Sequence, residues 1–235
     1  IDLHGAETIA AVIIEPVAGS AGVLLPPAGY LQRLKDIASA NGILLIFDEV
    51  ITGFGRLGGA FSPDIFDVVP NLIVSAKGLT NGTIPMGAVF VQKDIHDALM
   101  QGPTSLIEFY HGYTYSGHPA ACAAGLAALD IYQDEGLLTR ASHIGPIWKQ
   151  AIESLADCRH VIDIRKFGLM AGIELSSRPD EPGARAYEVL SSCFENGLLV
   201  RATGDVIALC PPLIIDPAEI EKLINILRRV LNQTS

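Results

Sequence analysis

Short apolar runs alternate with amphipathic stretches along the whole chain. Residues 9–14, 43–47, 72–74 and 88–91 are rich in Ile, Leu, Val and Ala and carry no charge. Runs of this kind predict strands buried on both faces of a parallel sheet. Between the first two, residues 29–41 place Tyr30, Leu31, Leu34, Ile37 and Ala38 on one helical face, and Asn41-Gly42 closes the helix. Strand, helix, strand is the right-handed crossover of a parallel sheet. A short helix is expected over residues 94–100, with Asp94 near its cap.

After His118-Pro119 the pattern changes to a helix of small apolar residues that can pack closely, AACAAGLAALDIYQDEG. Helices then follow at 137–155, 183–196 and 217–231, with strands at 161–165, 170–175, 198–201 and 206–209. The chain therefore reads as α/β, with residues 1–128 in one domain, residues 129–235 in a second, smaller α+β one, and the change near Leu129.

Two of the apolar runs lead to a residue capable of chemistry. Asp48 follows the run 43–47, and Lys77 lies just past the run 72–74. In open α/β sheets ligands gather at the carboxyl ends of strands. Singly, each residue has an ordinary reading, since an aspartate there caps a turn and a lysine there is a solvated loop residue. The pair is more specific, because Ser75, Ala76 and Gly78 frame Lys77 and leave room for a bulky ring. A lysine amine can form a Schiff base with the aldehyde of pyridoxal phosphate, and a carboxylate can hold the pyridine nitrogen protonated.

The stretch DEVITGFGRLG followed by NLIVSAKGLTNG, with Asp48 and Lys77 separated by 29 positions, resembles the signature of class III aminotransferases. The resemblance implies fold type I, pyridoxal 5'-phosphate as cofactor, and a partial large domain with a mainly parallel sheet followed by a small carboxyl-terminal domain. It departs at Asn71, where the family has Asp or His. It further implies that Lys77 and Asp48 are catalytic and bind the cofactor, that Val50 packs on the ring, and that Thr114 in Thr-Tyr-Ser-Gly-His-Pro binds the phosphate of a neighbouring subunit's cofactor. That arrangement calls for a homodimer, or a tetramer built from dimers, with shared active sites.

Substrate class turns on three positions. The ornithine and GABA branch has a glutamate and an arginine where this chain has Ser20 and Ala208. Arg201 before Ala-Thr-Gly-Asp resembles instead the mobile carboxylate-binding arginine of the ω-amino acid:pyruvate (β-alanine:pyruvate) aminotransferases. The wording of residues 15–20 and of residues 109–119, with Tyr110 interposed, is similar to that branch. The resemblance covers the family's carboxyl-terminal half, so its phosphate loop and ring-stacking aromatic have no counterpart before Glu15, and the fragment alone is expected to be inactive. Glu15 ends a strand within reach of the site, while Glu49 is a second acid beside Asp48 with no assigned role.

Composition narrows the alternatives. A hydrophobic content of 49% is ample for a core, and a net charge of −10 argues against nucleic acid or an anionic membrane surface as partner. With no basic start before an apolar segment, the chain is read as cytoplasmic. Cys122, Cys158, Cys193 and Cys210 are widely spaced and read as reduced structural residues. His111 and His118 lack a second ligand at metal spacing, so no metal is expected. Gly53-Phe54-Gly55-Arg56-Leu57-Gly58 also satisfies G-x-G-x-x-G, which makes a Rossmann NAD(P)-dependent oxidoreductase the competing enzyme class. Pro63 and a following strand leading to lysine rather than an acid count against it. A third reading makes Asp48 and Lys77 a structural pair in a binding protein.

Overall fold

The computed structural model describes residues 1–103, 105 and 111–235. Strands β1 (Ala11–Ile14), β2 (Leu44–Asp48), β3 (Leu72–Ser75) and β4 (Ala88–Val91) form one sheet in that order. The first three are parallel, and β4 returns antiparallel beside β3. Helix α1 (Tyr30–Ala40) makes the crossover from β1 to β2. A single turn, α2 (Pro63–Phe66), precedes β3, and α3 (Lys93–Leu99) follows β4, opening one residue before Asp94.

The expectation of strands buried on both faces is corrected. Leu45 and Phe47 are sealed against Leu31 of α1 and Val68. The alternating side chains Leu44 and Ile46 are only half-buried, Ile13 is 59% exposed, and Val89, Phe90 and Val91 of β4 are exposed. Side chains alternate across a strand, so α1 covers one set and leaves the other open within this chain. The α1 face is also narrower than its pattern: Leu31 and Ala38 are buried, but Tyr30 and Ile37 are exposed. Asn71 opens β3, where its Oδ1 accepts from Leu45 N at 2.9 Å and its Nδ2 donates to Gln92 Oε1 at 3.0 Å. It ties three strands together at the end of the sheet remote from Lys77.

Helix α4 (Pro119–Asp134) runs unbroken through Leu129 and leads into α5 (Leu137–Glu153). A second sheet follows, antiparallel throughout, with β5 (Val161–Phe167), β6 (Met170–Leu175), β8 (Val206–Leu209) and β7 (Arg201–Thr203) as successive neighbours. With α6 (Ala184–Glu195) and α7 (Pro217–Gln233) it encloses a core that includes Trp148, Ile152, Ile173, Val189, Ile207 and Leu227. Helix α7 begins on a reciprocal cap, in which Asp216 and Glu219 each accept the other's backbone N–H. Strand β7 starts later than the pattern indicates. Leu198 N donates to Cys193 O and Gly197 N to Phe194 O, so that backbone closes α6 before it can pair as a strand.

The two sheets meet over the loop that follows β2. A Cβ on Gly55, whose φ is 88°, would lie 2.8 Å from Leu137 O and 2.9 Å from Leu138 Cα. Arg56 O accepts from Leu169 N at 3.0 Å, and Ser142 Oγ donates to Gly58 O at 2.8 Å. No helix among the described residues is long and apolar enough to cross a membrane. Because both atoms facing Gly55 belong to backbone, Gly55→Ala should lower the stability of the intact protein by about 1–3 kcal/mol, read from its unfolding midpoint in urea. A midpoint within error of wild type would show that the α5 terminus yields.

Candidate active site

The carboxyl ends of β2 and β3 are in register, with Asp48 opposite Val74. Glu49 N continues the pairing by donating to Val74 O at 2.8 Å. Asp48 is half-buried, and its Oδ1 accepts from Val50 N at 3.1 Å, which fixes the carboxylate at the strand end. Three residues past Val74 in sequence, Lys77 opens a 3-10 turn, Lys77–Leu79, with φ of 42°. Left-handed backbone is costly for a residue with a Cβ, and its surroundings must hold it there. Here Thr80 N and Gly82 N both donate to Lys77 O at 3.3 Å, and Thr80 Oγ1 donates to Ile84 O at 2.6 Å.

Lys77 and Val50 face a cavity of about 660 Å³ between the two sheets. Arg201 and Ala208 line it from the second sheet, and Gly19 and Ser20 from the loop after β1. Asp48 is not among its lining residues, so the structure sets the acid at the adjoining strand end and not on the cavity wall. Arg201 and Ala208 are cross-strand partners in the β7–β8 hairpin. The Arg201 side chain is exposed and makes no hydrogen bond or ion pair among the described residues.

Thr114 is not brought to Lys77 within this chain. It is exposed and lines a separate cavity of about 600 Å³ with His111, Tyr113 and His118. Phe109 and Tyr110, which carry part of the expected wording, lie outside the described residues. Glu15 is also away from Lys77's cavity, and its Oε2 accepts from Gly19 N at 3.0 Å, bracing the loop that bears Ser20.

Glu49 has a defined place that its sequence position does not reveal. Fully buried, it accepts Ser62 N on both oxygens at 2.9 Å, Ser62 Oγ at 2.6 Å and Thr52 Oγ1 at 3.1 Å. It thereby closes the loop from β2 to α2 on itself. Phe54 and Tyr132 are two further residues that local pattern does not single out. Their rings stack at 5.8 Å, and both line the cavity. Arg56 also lines it, with its guanidinium on Leu169 O and Pro211 O.

The G-x-G-x-x-G segment is a packing device in this structure. A helix should open at once in a dinucleotide site, whereas Gly55 and Gly58 are pressed against the start of α5 and the next helix is the single turn α2. All four cysteines are free, and burial pushes the Cys193 thiol up to about 11. Among the described residues no three His, Cys, Asp or Glu side chains cluster in a way that could hold a metal.

Burial raises the Glu49 carboxyl above its ordinary value of 4.5, against the opposing pull of its bonds to Ser62 and Thr52. The folded state therefore holds the proton more tightly than the unfolded state. The stabilising contribution is fully present below 4.5 and falls as pH rises through the folded value. Glu49→Gln would replace one of the two oxygens that accept from Ser62 N–H, a group that can only donate, with an amide N–H₂, at a cost of about 1–3 kcal/mol in unfolding free energy. The margin of wild type over this variant should shrink as pH rises from 4.5. A margin that grew with pH would reverse the sign of the burial effect.

The profile of the family described as Aminotransferase class-III matches residues 2–231. An omega-aminotransferase of Caulobacter vibrioides is 56% identical over 233 residues, covering 99% of this chain and 53% of that protein. A beta-alanine–pyruvate aminotransferase of Pseudomonas aeruginosa is 45% identical over 234 residues, covering 99% of this chain and 52% of that protein. A thermostable (S)-enantioselective omega-transaminase from Thermomicrobium roseum superposes with a TM-score of 0.93 at 38% identity, over 99% of this chain and 53% of the solved one. An amine transaminase from an uncultivated Pseudomonas species, solved in its PLP-bound form, gives 0.92 at 38% identity, over 100% of this chain and 55% of its own. The chain spans about half the length of these relatives. Sheet order, the structural superpositions and the family match over residues 2–231 agree: the chain has the fold type I α/β architecture and belongs to the class III aminotransferases.

Proposed function

We propose that the protein to which this chain belongs is a pyridoxal 5'-phosphate-dependent transaminase. It transfers an amino group from an ω-amino acid such as β-alanine, or from an amine, to pyruvate. The observation that carries this reading is the convergence of Lys77 and Arg201, from two different sheets, on one cavity beside the strand that ends in Asp48. Relatives named for ω-amino acids and for β-alanine with pyruvate support the same substrate class. In this reading residues 1–128 complete a large cofactor domain and residues 129–235 form a small one, both from the carboxyl-terminal half of the full protein.

The cavity suits the cofactor in volume, and among the described residues Lys77 is the one lysine lining it. When bound, pyridoxal phosphate supplies an aldehyde that condenses with amines and a pyridinium ring that withdraws electrons from the substrate carbon. Lys77 Nζ would hold the cofactor and, as a general base and acid, would take and return the proton of the donor carbon. Asp48, at the strand end adjoining the cavity, would keep the ring nitrogen protonated, and Val50, which lines the cavity, would pack on the ring. Thr114, exposed and lining a cavity separate from that of Lys77, would bind the cofactor phosphate in a neighbouring copy. The working protein is thus a cytoplasmic homodimer, or a tetramer of dimers, with shared sites.

Arg201 sets the acceptor and donor range. A pocket that takes both a carboxylate and an uncharged amine cannot keep a fixed guanidinium unpaired, since an uncompensated buried charge costs several kcal/mol, roughly 3–5. The Arg201 side chain is exposed and unbonded among the described residues, so it can turn to solvent when no carboxylate is present. Ala208 stands directly across the hairpin from it, at the position where the GABA and ornithine branch carries its arginine. The two alternatives are therefore neighbours on one ladder, and this chain places no second cation there.

Lys77→Ala in the intact protein should abolish borohydride-trappable cofactor, with residues 1–235 alone as an inactive control. Mass spectrometry locating the adduct on Lys93 or Lys166 would refute the assignment. Arg201→Ala should weaken pyruvate and β-alanine use by roughly 2 kcal/mol or more while sparing an uncharged amine in the first half-reaction. Equal single-turnover losses for β-alanine and the amine would make Arg201 structural and return the substrate to an unspecified class III donor.

A further inference from the structure

We infer that Tyr132 is a positioning residue that holds the Lys77 turn in its reactive shape through the peptide carbonyl of Gly78. The inference rests on the reading of Lys77 given above and adds a residue that no motif marks.

Lys77 is one of the few non-glycine residues with left-handed backbone, and such a conformation persists only where its surroundings over-determine it. Its own hydrogen bonds close the turn from the carboxyl side, through Thr80 N and Gly82 N. From helix α4, Tyr132 Oη donates to Gly78 O at 2.7 Å, on the Gly78–Leu79 peptide, inside the turn that Lys77 opens. That carbonyl also accepts from Asn81 N at 3.2 Å, so both of its acceptor directions are used.

The contact is fixed from three sides. Tyr132 is 7% exposed, with its ring stacked on Phe54 at 5.8 Å. Phe54 in turn lies against Gly78, where a Cβ would meet Phe54 Cβ and Cδ2 at 2.9 Å. The buried positions of α4 are Ala121, Gly125, Ala128 and Tyr132, so small residues bring the helix down on the turn. At Gly125 a Cβ would stand 3.6 Å from Leu79 O. Burial raises the Tyr132 phenol despite the nearby Arg56 charge, so the hydroxyl remains a donor through the neutral range. Phe54, Gly78 and Tyr132 thus form a clamp whose only directional bond to the lysine turn comes from the phenol.

The discriminating variant is Tyr132→Phe in the intact protein, which keeps the stacked ring and deletes the O–H. Borohydride reduction should still place the adduct on Lys77. The apoprotein should capture added pyridoxal phosphate about five- to tenfold more slowly, followed by absorbance, the scale for losing one hydrogen bond to a buried carbonyl. The kcat should fall by a similar factor with KM for pyruvate unchanged. Ser154→Ala, which removes a side-chain hydrogen bond to a backbone carbonyl, Ala151 O, away from the turn, should leave capture and kcat as in wild type. If Tyr132→Phe does not accumulate, Gly78→Ala tests the same clamp by pushing the peptide off Phe54, with the same slowing expected. An adduct on another lysine would overturn the Lys77 assignment and this inference with it. An adduct on Lys77 with unchanged capture and kcat in Tyr132→Phe would overturn this inference alone.

Discussion

The close approach of backbone to backbone at residues 53–58 is the constraint on which the rest of the structure depends. Gly55 admits the first turn of α5 at distances that a methyl group would forbid. Beside it, Arg56 uses its own carbonyl to take Leu169 N and its guanidinium to take Leu169 O and Pro211 O. One loop therefore docks α5, the turn before β6 and the segment after β8 onto the end of the first sheet. Each contact involves main-chain groups, which must find partners when they leave water. The joint is consequently directional rather than merely apolar.

Docking creates the cavity. Lys77 and Val50 come from the first sheet, and Arg201 and Ala208 from the second, so neither half contains the site. A second tie reinforces the joint: Arg165 on β5 donates through Nε and Nη2 to Gly22 O at 3.2 and 3.1 Å while bridging Asp163 and Glu174. That carbonyl belongs to the loop bearing Gly19 and Ser20, which Glu15 braces from its other end. The loop that lines the cavity through Gly19 and Ser20 is thus held by both sheets. Small movements of one sheet on the other would shift Arg201 relative to Lys77.

Acidic residues near the site divide into distinct tasks by environment. Asp48 stays at the strand end, half-buried and bonded to Val50 N. Its neighbour Glu49 points to the other side of the strand, as alternation requires, and is consumed by Ser62 and Thr52. Adjacent carboxylates of equal chemistry thereby take different places, one at the strand end beside the cavity and one inside the loop. Phe54 and Tyr132 press on the Lys77 turn from outside and add to the Thr80 N and Gly82 N bonds that close it.

The apolar runs determined where strands β1 to β4, β6 and β8 lie, because a run too short for a helix and free of charge has few alternatives to pairing in a sheet. Asp48 and Lys77 were likewise legible, as polar residues at the ends of such runs, and the Asp-Glu-Val and Ser-Ala-Lys-Gly wording named the family. Coverage was not legible: periodicity shows which residues want burial but not whether a partner layer exists, and Ile13, Val89 and Phe90 remain exposed here. Nor was the start of β7, since the backbone at Gly197-Leu198 was claimed by the end of α6. Glu49, Phe54 and Tyr132 acquire their roles only from contacts 13, 24 and 54 positions apart in sequence, with Ser62, Gly78 and Gly78 respectively. Local spacing carries no record of such distances. They are set when the loop after β2 closes on itself and helix α4 packs on the Lys77 turn.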